Sequence, residues 1–535
     1  MKAEPILNRT YYLYLTEFFA GVSVMAVELG ASRLLAPYFS SSQIVWTIII
    51  GTIMIAMALG NVWGGRWADK DPNPDILYRR IIVAALWIAA IPVIGKYVIL
   101  AISAALVFTV NTDFLTLAAF FSCLAIFVFP LFLLGTVTPS LVKYTVTSLD
   151  ANGKTVGNLV AINTIGSIIG TFLPTFVTIP AVGTAITFFI FSGLLLLIGL
   201  AYFVHKKVRR KACFFSLIFF CGCMAAANSG SLAFWEKNIL YEGESLYNYL
   251  QVKETDSSVI LSTNVLFGVQ SIMKKDDSLT GMYYDYALAA PVMAGLSQKE
   301  NSKILVLGMG TGTYARECQK YFTETSVEGV EIDQKITDLA STYFKLPANI
   351  KVTTYDGRAY LNATDQKYDV IMVDAYQDIT IPFQMSSTEF FDLVKNHLTD
   401  NGVMVVNMNM HTEKEGNINQ YLADTIASVF HTVYTVNVDG SSNRELFAMK
   451  QRETSSDFLK EVETVKNQDL KNLMLKTASG MKRYERGAYL LTDDKAPVEL
   501  LGMRVIDELI QEEVVYYRRI FNQQGLDGML KEIMS

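Results

Sequence analysis

The chain has 535 residues, which is too long for a single ordinary domain, and it carries a net charge of -6. Apolar residues make up 51% of it and charged residues 18%, an apolar excess that an ordinary soluble enzyme does not show. The charge excludes a basic surface for nucleic acid, and the five cysteines and four histidines show no metal-ligand spacing. We therefore expect neither a nucleic-acid partner nor a metal.

The apolar excess lies before about residue 228, in runs as long as the roughly 20 residues that cross a bilayer. Residues 1–228 are therefore predicted to form an all-α transmembrane bundle, with the lipid bilayer as a partner. Glu17 lies inside the first run, at a depth where charges usually face a bundle interior or a cavity and suggest function; interfacial snorkelling fits the sequence equally well. We predict six spans and a shorter seventh run, at about 12–35, 43–64, 81–109, 114–138, 157–178, 182–204 and 212–228.

Lysines and arginines lie in every second connection between these spans, which places them on one side of the membrane. They lie before the first span, between the second and third, between the fourth and fifth, and in the segment 205–211 after the sixth. The other loops between these six spans carry none. Because cytoplasmic loops are enriched in Lys and Arg, the N-terminus and the end of the sixth span are predicted to face the cytoplasm. Whether 212–228 crosses the bilayer or lies in its interface stays open.

Soluble character begins after the membrane region. The segments YLQVKET, SVILST and FGVQSIM are short alternating runs that predict a small β-rich subdomain over residues 229–290. From 291 to 535, apolar strands alternate with helical segments, which predicts an α/β domain. The fold class is therefore multi-domain, with an N-terminal all-α transmembrane bundle, a small β-rich subdomain and a C-terminal α/β domain.

A glycine-rich turn opens this α/β domain. The apolar run Ile304–Leu307 ends in Gly308-Met309-Gly310-Thr311-Gly312, and a helical segment follows from Thr313. A strand, a glycine turn and a helix start form the context that nucleotide binding requires. Glycines let a ligand come close to the backbone. We predict that Gly308, Gly310 and Gly312 bind a nucleoside.

Acidic residues follow the next three predicted strands. Glu331 ends the second strand, Asp356-Gly357 follows the third, and Asp374 ends the fourth. Ligands of doubly wound sheets bind at the carboxyl ends of the strands, where an acid can take the ribose hydroxyls. Glu331, Asp356 and Gly357 are therefore predicted to bind the same nucleoside as the glycine turn.

The ordered set of glycine turn, Glu331, Asp356 and Asp374 resembles the class I S-adenosylmethionine-dependent methyltransferase fold, which is Rossmann-like. Its flanks resemble the spermidine synthase (polyamine aminopropyltransferase) branch. The membrane segments ELGASRLLAPYFSSSQIVWT, ALGNVWGGRWADK and LLGTVTPSLVKY resemble bacterial fused major-facilitator/spermidine synthases. The resemblance implies an aminopropyl transferase with S-adenosylmethionine or its decarboxylated form as co-substrate, and a polyamine-type acceptor. It also implies a multi-pass protein of the bacterial inner membrane, with a homodimer as one assembly.

The same resemblance assigns further residues. Gln270 would line the cofactor pocket, and Tyr283 and Asp285 would line the amine pocket. Tyr376 and Asp378, on the loop after Asp374, would also bind the amine. Asp374 itself is our candidate base, because a cationic amine with a pKa of about 10 must lose a proton before it can attack. Since S-adenosylmethionine is supplied inside cells, we expect the catalytic domain in the cytoplasm.

Two departures leave the donor open. Spermidine synthases carry GGGDGG where this chain has Thr311 at the Asp position, and they carry DxxD where this chain has Asp374 and Asp378. Losing the anion removes a preference for decarboxylated S-adenosylmethionine. A methyltransferase or a sulfonium-cleaving enzyme on the same site is therefore the alternative, and a transporter or sensor with a nucleoside-binding domain is the third hypothesis. The segment LTDDKAPVE, from Leu491, is compatible with either a polycation contact or a capped turn.

Overall fold

The computed structural model describes residues 10–107, 113–145, 152–228, 231–265, 269–375, 381–409, 414–451 and 455–534. The chain forms two compact units, Met1–Glu236 and Lys237–Ser535. The sequence predicts boundaries at 228 and 290 instead, and these remain predictions about how the chain divides. We describe each unit by itself.

The first unit is all helical in the described ranges. Two π-helical turns, Leu124–Val128 and Pro174–Thr178, join neighbouring helices, and Gly183 interrupts the eighth helix with a φ of 80°. The helices are α1 (Thr10–Phe39), α2 (Gln43–Lys70), α3 (Pro74–Val107), α4 (Phe114–Cys123), α5 (Phe129–Gly135), α6 (Val137–Thr145), α7 (Asn152–Leu173), α8 (Ile179–Lys206) and α9 (Arg210–Asn228).

Six helical segments of the described chain are long and apolar enough to cross a membrane. The predicted fifth and sixth spans form one continuous segment, Gly153–Lys206, which is broken only at Gly183. The sequence did not decide whether the last apolar run crosses the bilayer or lies in its interface. In the structure this run, Arg210–Ala227, is also long and apolar enough to cross. The all-α character of this region is as the sequence predicts.

Close packing of α1 against α7 depends on small residues. A Cβ on Gly166 would lie 2.2 Å from the carbonyl oxygen of Phe18, and one on Gly170 would lie 2.1 Å from that of Val22. Beside this contact, the fully buried carboxylate of Glu17 accepts hydrogen bonds from the Thr138 hydroxyl (2.6 Å) and the Asn163 amide (2.9 Å). Glu17 therefore faces the helix bundle, as predicted for a charge at that depth.

The second unit contains two sheets. A four-stranded antiparallel meander comes first, formed by β1 (Ile239–Glu244), β2 (Tyr249–Glu254), β3 (Ser258–Ser262) and β4 (Ser271–Lys274) in that order. An eight-stranded sheet follows in the order β12-β10-β11-β9-β8-β5-β6-β7. Its strands are β5 (Ser302–Leu307), β6 (Thr325–Glu331), β7 (Lys351–Thr354), β8 (Tyr368–Val373), β9 (Leu398–Met408), β10 (Thr432–Asn437), β11 (Arg444–Met449) and β12 (Lys482–Arg483).

Helices connect and cover these strands. They are α10 (Tyr283–Ala287), α11 (Ala289–Met293), α12 (Thr313–Tyr321), α13 (Gln334–Tyr343), α14 (Gly357–Ala363), α15 (Thr388–Asn396), α16 (Ile418–Val429), α17 (Ser455–Thr464), α18 (Gln468–Gly480) and α19 (Val498–Met534), with a 3₁₀ turn at Phe383–Met385. Helix α19 is broken at Gly525.

Strands β5 to β9 are parallel, whereas β10, β11 and β12 pair antiparallel at the edge. Every residue of β8 is buried, as expected of a parallel strand covered on both faces, and all of them except the ion-paired Asp369 are apolar or aromatic. The strand order reverses at β5, between β6 and β8, and ligands of such sheets bind at this reversal. The α/β fold with a β-rich subdomain is therefore as predicted.

Candidate active site

The glycine turn lies at the carboxyl end of β5, at the reversal of strand order. Gly308, Gly310 and Gly312 have φ values of 83°, 54° and 82°, in the left-handed region that favours glycine. A Cβ on Gly308 would lie 2.5 Å from the carbonyl oxygen of Asp374. The turn therefore packs directly against the end of β8, which carries the predicted base.

All five backbone N–H groups of the turn donate within the protein. Those of residues 308 and 309 donate to the Val330 carbonyl, and that of residue 312 donates to the carbonyl of residue 309. Gly310 donates to Glu331 Oε2 (2.8 Å), and Thr311 donates to the Ser271 hydroxyl (3.2 Å). The turn thus has a fixed shape and holds no spare N–H for an anion.

Glu331 ends β6 beside this turn and is 7% exposed. Its second oxygen accepts the backbone N–H of Asp333 (3.1 Å). Burial raises the pKa of Glu331 to about 7, although the two backbone donors oppose the shift. Each carboxylate oxygen has more than one lone pair, so these contacts leave acceptor capacity for hydroxyl groups. The negative charge of Glu331 also raises the pKa of Asp374, which indicates that the two acids are close.

Asp374 is held by two side-chain donors. The Tyr283 hydroxyl donates to its Oδ2 (2.7 Å), and the Asn407 amide donates to its Oδ1 (3.1 Å). Burial raises the pKa of Asp374 to about 7, and both donors act against that rise. A carboxyl group with this pKa exchanges a proton near neutral pH, which is the range in which a general base works best.

Two neighbouring tyrosines connect this carboxyl group with Gln270. The rings of Tyr283 and Tyr284 have centroids 3.9 Å apart, and the Tyr284 hydroxyl donates to the Gln270 carbonyl (2.8 Å). Ser271, the next residue, contacts the glycine turn through its hydroxyl. Gln270 and Tyr283 therefore lie at the edge of the glycine turn. The family resemblance assigned them to the cofactor pocket and the amine pocket.

The remaining predicted site residues have other positions. Asp356 caps α14 by accepting the Ala359 N–H (2.8 Å), with Gly357 beginning the helix. Asp285 accepts the N–H and hydroxyl of Thr280 (3.0 and 2.7 Å) and the N–H of Gly281 (2.7 Å), so it fixes the loop before α10. Binding roles for these acids remain predictions. Tyr376 and Asp378 lie outside the described residues.

The loop that contains LTDDKAPVE is tied to α14. Asp493 forms a two-pronged ion pair with Arg358 (2.7 and 2.6 Å) and accepts the Ser387 hydroxyl (2.5 Å). Arg358 lowers the pKa of Asp493. Of the two options that the sequence left open, these contacts favour a structural turn for Asp493.

Two residues that touch the predicted site received no binding or catalytic role from the sequence. Asn407 donates to Asp374 and in turn accepts from the Asn443 amide (2.8 Å), and Ser271 fixes the glycine turn. Asn407 lies at the end of an apolar strand, as Glu331 does, so its place at a strand end was an available signal. In the described part of the chain, no group of three His, Cys, Asp or Glu side chains is placed to hold a metal ion.

Glu445 is the third residue that the sequence did not indicate. It lies on β11 opposite Asn407 of β9, and both of its carboxyl oxygens are buried without a hydrogen-bond partner among the described residues. Burial raises its pKa well above the ordinary value, and the charge of Asp374 adds to the shift. Asp374, Asn407 and Glu445 thus lie on three neighbouring strands of one sheet.

We expect Glu445→Gln to stabilise the protein increasingly as pH rises. The folded chain keeps a proton on Glu445 above pH 4.3, roughly where the unfolded chain loses it. The wild type therefore loses about 1.4 kcal/mol of unfolding free energy for each pH unit over which this difference persists, and the Gln variant does not. Unfolding midpoints of the detergent-solubilised full chain at pH 5 and pH 8 measure this. The exposed Glu485→Gln should show no such trend, and an equal loss for Glu445→Gln at both pH values would contradict the expectation.

Comparisons with known proteins identify similar sequences and structures. Residues 286–457 match the family model described as the spermine/spermidine synthase domain. A probable polyamine aminopropyl transferase of Bifidobacterium longum is 52% identical over 351 residues, which cover 62% of this chain and 78% of that protein. The polyamine aminopropyltransferase of Vibrio vulnificus is 27% identical over 286 residues, covering 50% of this chain and 92% of that one.

Among solved structures, a probable spermidine synthase from Corynebacterium glutamicum matches 46% of this chain and 96% of its own, with a TM-score of 0.36 and 19% identity. The Bifidobacterium relationship is close enough in identity and coverage to decide the family. The chain belongs to the polyamine aminopropyltransferase (spermidine synthase) family, and it is an enzyme.

Proposed function

We propose that the chain is a membrane-bound aminopropyltransferase. It moves the aminopropyl group of decarboxylated S-adenosylmethionine to an amine and releases methylthioadenosine. Family membership supports the reaction class. The observation that carries the assignment is the Asp374 carboxyl group, held by Tyr283 and Asn407 directly against the glycine turn.

The glycine turn supports a nucleoside donor without phosphates. A phosphate cradle needs free backbone N–H groups, and those from Gly308 to Gly312 already donate within the protein. The buried Thr311 hydroxyl, in contrast, has no partner among the described residues. We assign the ribose to Glu331, with the tail of the donor near Thr311. Gln270, Asp356 and Gly357 are proposed to complete this pocket.

Asp374 is proposed to bind and deprotonate the acceptor. An amine with a pKa of about 10 is a cation at neutral pH, and its lone pair becomes available only after a proton leaves. With a pKa of about 7, Asp374 is ionised in a large fraction of molecules at neutral pH. Its carboxylate can attract the ammonium, orient it and accept the proton. The faces of Tyr283 and Tyr284 offer further attraction for a cation.

The transfer is a substitution at carbon. The amine nitrogen uses its lone pair to bond to the methylene carbon beside the sulfonium. The carbon–sulfur bond breaks, its electron pair stays on sulfur, and the neutral thioether leaves. One proton passes from the nitrogen to Asp374 and then to solvent. Because a sulfonium is a good leaving group, positioning of the two reactants supplies most of the acceleration.

A second candidate function is favoured by Thr311. An Asp at this position would attract the ammonium tail of the decarboxylated donor, and Thr311 has no charge with which to do so. S-adenosylmethionine itself therefore fits the same pocket, as the donor of a methyltransferase or the substrate of a sulfonium-cleaving enzyme.

We also propose that the protein is a multi-pass protein of the bacterial inner membrane. The six long apolar helical segments of the first unit support this location. The bilayer and a polyamine are its expected partners, and a homodimer remains an expectation from the family. The supply of the donor leads us to expect the catalytic unit in the cytoplasm. The course of helix α9, which precedes that unit, argues for the opposite side.

Product analysis tests the proposed function. The purified full chain in detergent is given either donor with a panel of mono- and diamines, and the products are identified by mass spectrometry. We expect an aminopropylated amine together with methylthioadenosine. Methylthioadenosine without an aminopropylated amine would indicate sulfonium cleavage, and S-adenosylhomocysteine would indicate methyl transfer. Either result would replace the aminopropyltransferase assignment.

A further inference from the structure

We propose that helix α9 crosses the bilayer, so that the catalytic unit lies on the side opposite the basic loops. If the catalytic unit lies outside, a sulfonium donor made in the cytoplasm must be carried across the membrane before this enzyme can use it. This consequence rests on the proposed function. The contacts that support this orientation all lie within the first unit.

One end of the helix bundle collects the basic residues. Lys143, at the end of α6, pairs with Asp69 at the end of α2 (2.8 Å), and Lys206, at the end of α8, pairs with Asp75 at the start of α3 (2.5 Å). The start of α1 lies at the same end, because the Tyr12 ring is 5.7 Å from that of Tyr78. We call this the basic end.

The chain reverses direction at the basic end between α8 and α9. Lys207 and Arg209 both adopt left-handed backbone conformations, with φ values of 58° and 55°. The N–H of Val208 donates to the Phe203 carbonyl (3.2 Å), which closes the end of α8. Two left-handed residues in a three-residue connection turn the chain sharply, as in an antiparallel helix hairpin.

Helix α9 then runs back along α8. The Phe220 ring, near the middle of α9, lies 5.8 Å from that of Phe189, and a Cβ on Gly193 would lie 3.3 Å from Phe220. Gly193 is the middle of α8, so the two helices are still in contact halfway along. A helix lying in the membrane interface would leave α8 near its end. With 19 residues, α9 falls within the range of about 17–25 residues that crosses a bilayer, and its length of roughly 28 Å is close to the thickness of the hydrocarbon core, about 30 Å.

The residues after α9 lie at the other end of the bundle. The Tyr38 hydroxyl, next to the end of α1, donates to the Leu232 carbonyl (3.3 Å). The Lys96 ammonium, about six helical turns along α3 from the basic end, donates to the Ser231 carbonyl (2.6 Å). The Tyr97 and Phe234 rings are 5.0 Å apart. The chain therefore leaves the membrane unit at the end away from the basic loops.

The side chains of α9 suit a membrane crossing. Phe214 and Phe215 are 61% and 65% exposed on the unit, and apolar groups of this size are stable outside a protein only in lipid or against another apolar surface. Because basic loops face the cytoplasm, the other end of the bundle faces out. On the helices at this other end, Arg33 near the end of α1 and the buried Lys96 of α3 are two cations, against seven or more at the basic end.

This orientation decides what must precede the reaction. A nucleoside sulfonium carries a permanent charge, and charged groups do not enter the hydrocarbon core unaided. The step that supplies this enzyme is therefore a carrier-mediated export of the donor, and its aminopropylated product is formed outside the cytoplasm.

Cysteine labelling of the full chain tests the orientation. Pro72→Cys marks the exposed loop between α2 and α3, and Asp365→Cys marks the exposed surface of the catalytic unit after α14. A membrane-impermeant maleimide is added to intact spheroplasts and to disrupted ones, with the wild-type chain as the background for its own five cysteines. We expect Asp365→Cys to be labelled in intact spheroplasts and Pro72→Cys only after disruption. Labelling of both at once, or of Asp365→Cys only after disruption, would overturn the proposal.

Activity in spheroplasts gives an independent measurement. Donor and diamine are added outside, and the aminopropylated product is quantified before and after permeabilisation. We expect full activity without permeabilisation, and a rise of tenfold or more on permeabilisation would contradict the orientation. If no product forms even after permeabilisation, the proposed function fails while the labelling result still decides the orientation.

Discussion

Asp374→Asn should lower kcat by about 10²- to 10⁴-fold, the usual contribution of a general base. The amide that replaces the carboxylate cannot accept a proton from the amine, and it offers no charge to attract it. Donor affinity should change little, because Glu331 and the turn residues keep their own contacts. Steady-state rates and calorimetric donor binding measure the two effects separately. Wild-type turnover in this variant would refute the assignment of the base.

Asp369→Asn is the matched control for this variant. Asp369 lies on the same strand as the predicted base but at its other end, where it is buried and paired with Lys299 (2.7 Å). Asp369→Asn should lower the unfolding midpoint, since the buried carboxylate accepts hydrogen bonds from Lys299, the Lys303 N–H and the Thr399 hydroxyl, which one amide oxygen cannot all replace, while kcat of the folded enzyme stays within about twofold. Reduced stability without reduced kcat would show that the loss in Asp374→Asn is chemical.

The pH profile supplies a second criterion. Because burial raises the pKa of Asp374 to about 7, the fraction of ionised base rises through neutral pH. The kcat/KM of the wild type should therefore increase with pH and level off above about 8, unless the amine itself begins to lose its proton there. At saturating donor, which keeps Glu331 (pKa also about 7) in one protonation state, the residual activity of Asp374→Asn should lack the inflection near 7.

Much of the architecture could be predicted because its signals are local. Apolar runs of membrane length mark the spans, and apolar runs of strand length mark β5 and β8. Helix ends are less visible to hydropathy. The third predicted span begins at 81, whereas α3 begins at Pro74, because the first turns of that helix are polar and lie outside the predicted apolar run.

Parts of the site could not be predicted because they depend on strand order. Glu445 faces Asn407 only because β11 inserts between β9 and β10, which separates two strands that are consecutive along the chain. No periodicity in the sequence reports such an insertion. The glycine turn and Glu331 could be predicted because they follow consecutive parallel strands, whose carboxyl ends necessarily meet at one edge.

Three buried acids of this unit lower the free energy of unfolding at neutral pH. Asp374, Glu331 and Glu445 all have pKa values raised by burial, so each is easier to protonate in the folded chain than in the unfolded one. Their combined effect lowers stability as pH rises from about 4. A cation bound among them would offset that loss, because it favours the charged forms. Binding of a polyamine should therefore stabilise the protein more at pH 8 than at pH 5.

Thr311→Asp should shift donor preference towards the decarboxylated form by about 10- to 100-fold, the worth of one charge-assisted hydrogen bond of 1.5–3 kcal/mol. The decarboxylated donor ends in an ammonium, which an Asp attracts. S-adenosylmethionine also carries a carboxylate, which the same Asp repels. The Thr311 hydroxyl is buried and has no hydrogen-bond partner among the described residues. No protein donor that bonds to this hydroxyl would therefore compete with the ligand for the introduced carboxylate.

Thr311→Asn separates charge from shape in this experiment. Asn has nearly the size of Asp and a similar hydrogen-bonding carbonyl, but it carries no charge. The ratio of kcat/KM values for the two donors is measured in the wild type and both variants, so any loss of folded protein cancels. We expect the ratio to change in Thr311→Asp alone. Equal ratios in Asp and Asn would place the donor tail away from residue 311, and a wild type that already prefers the decarboxylated donor strongly would show that another group recognises its ammonium.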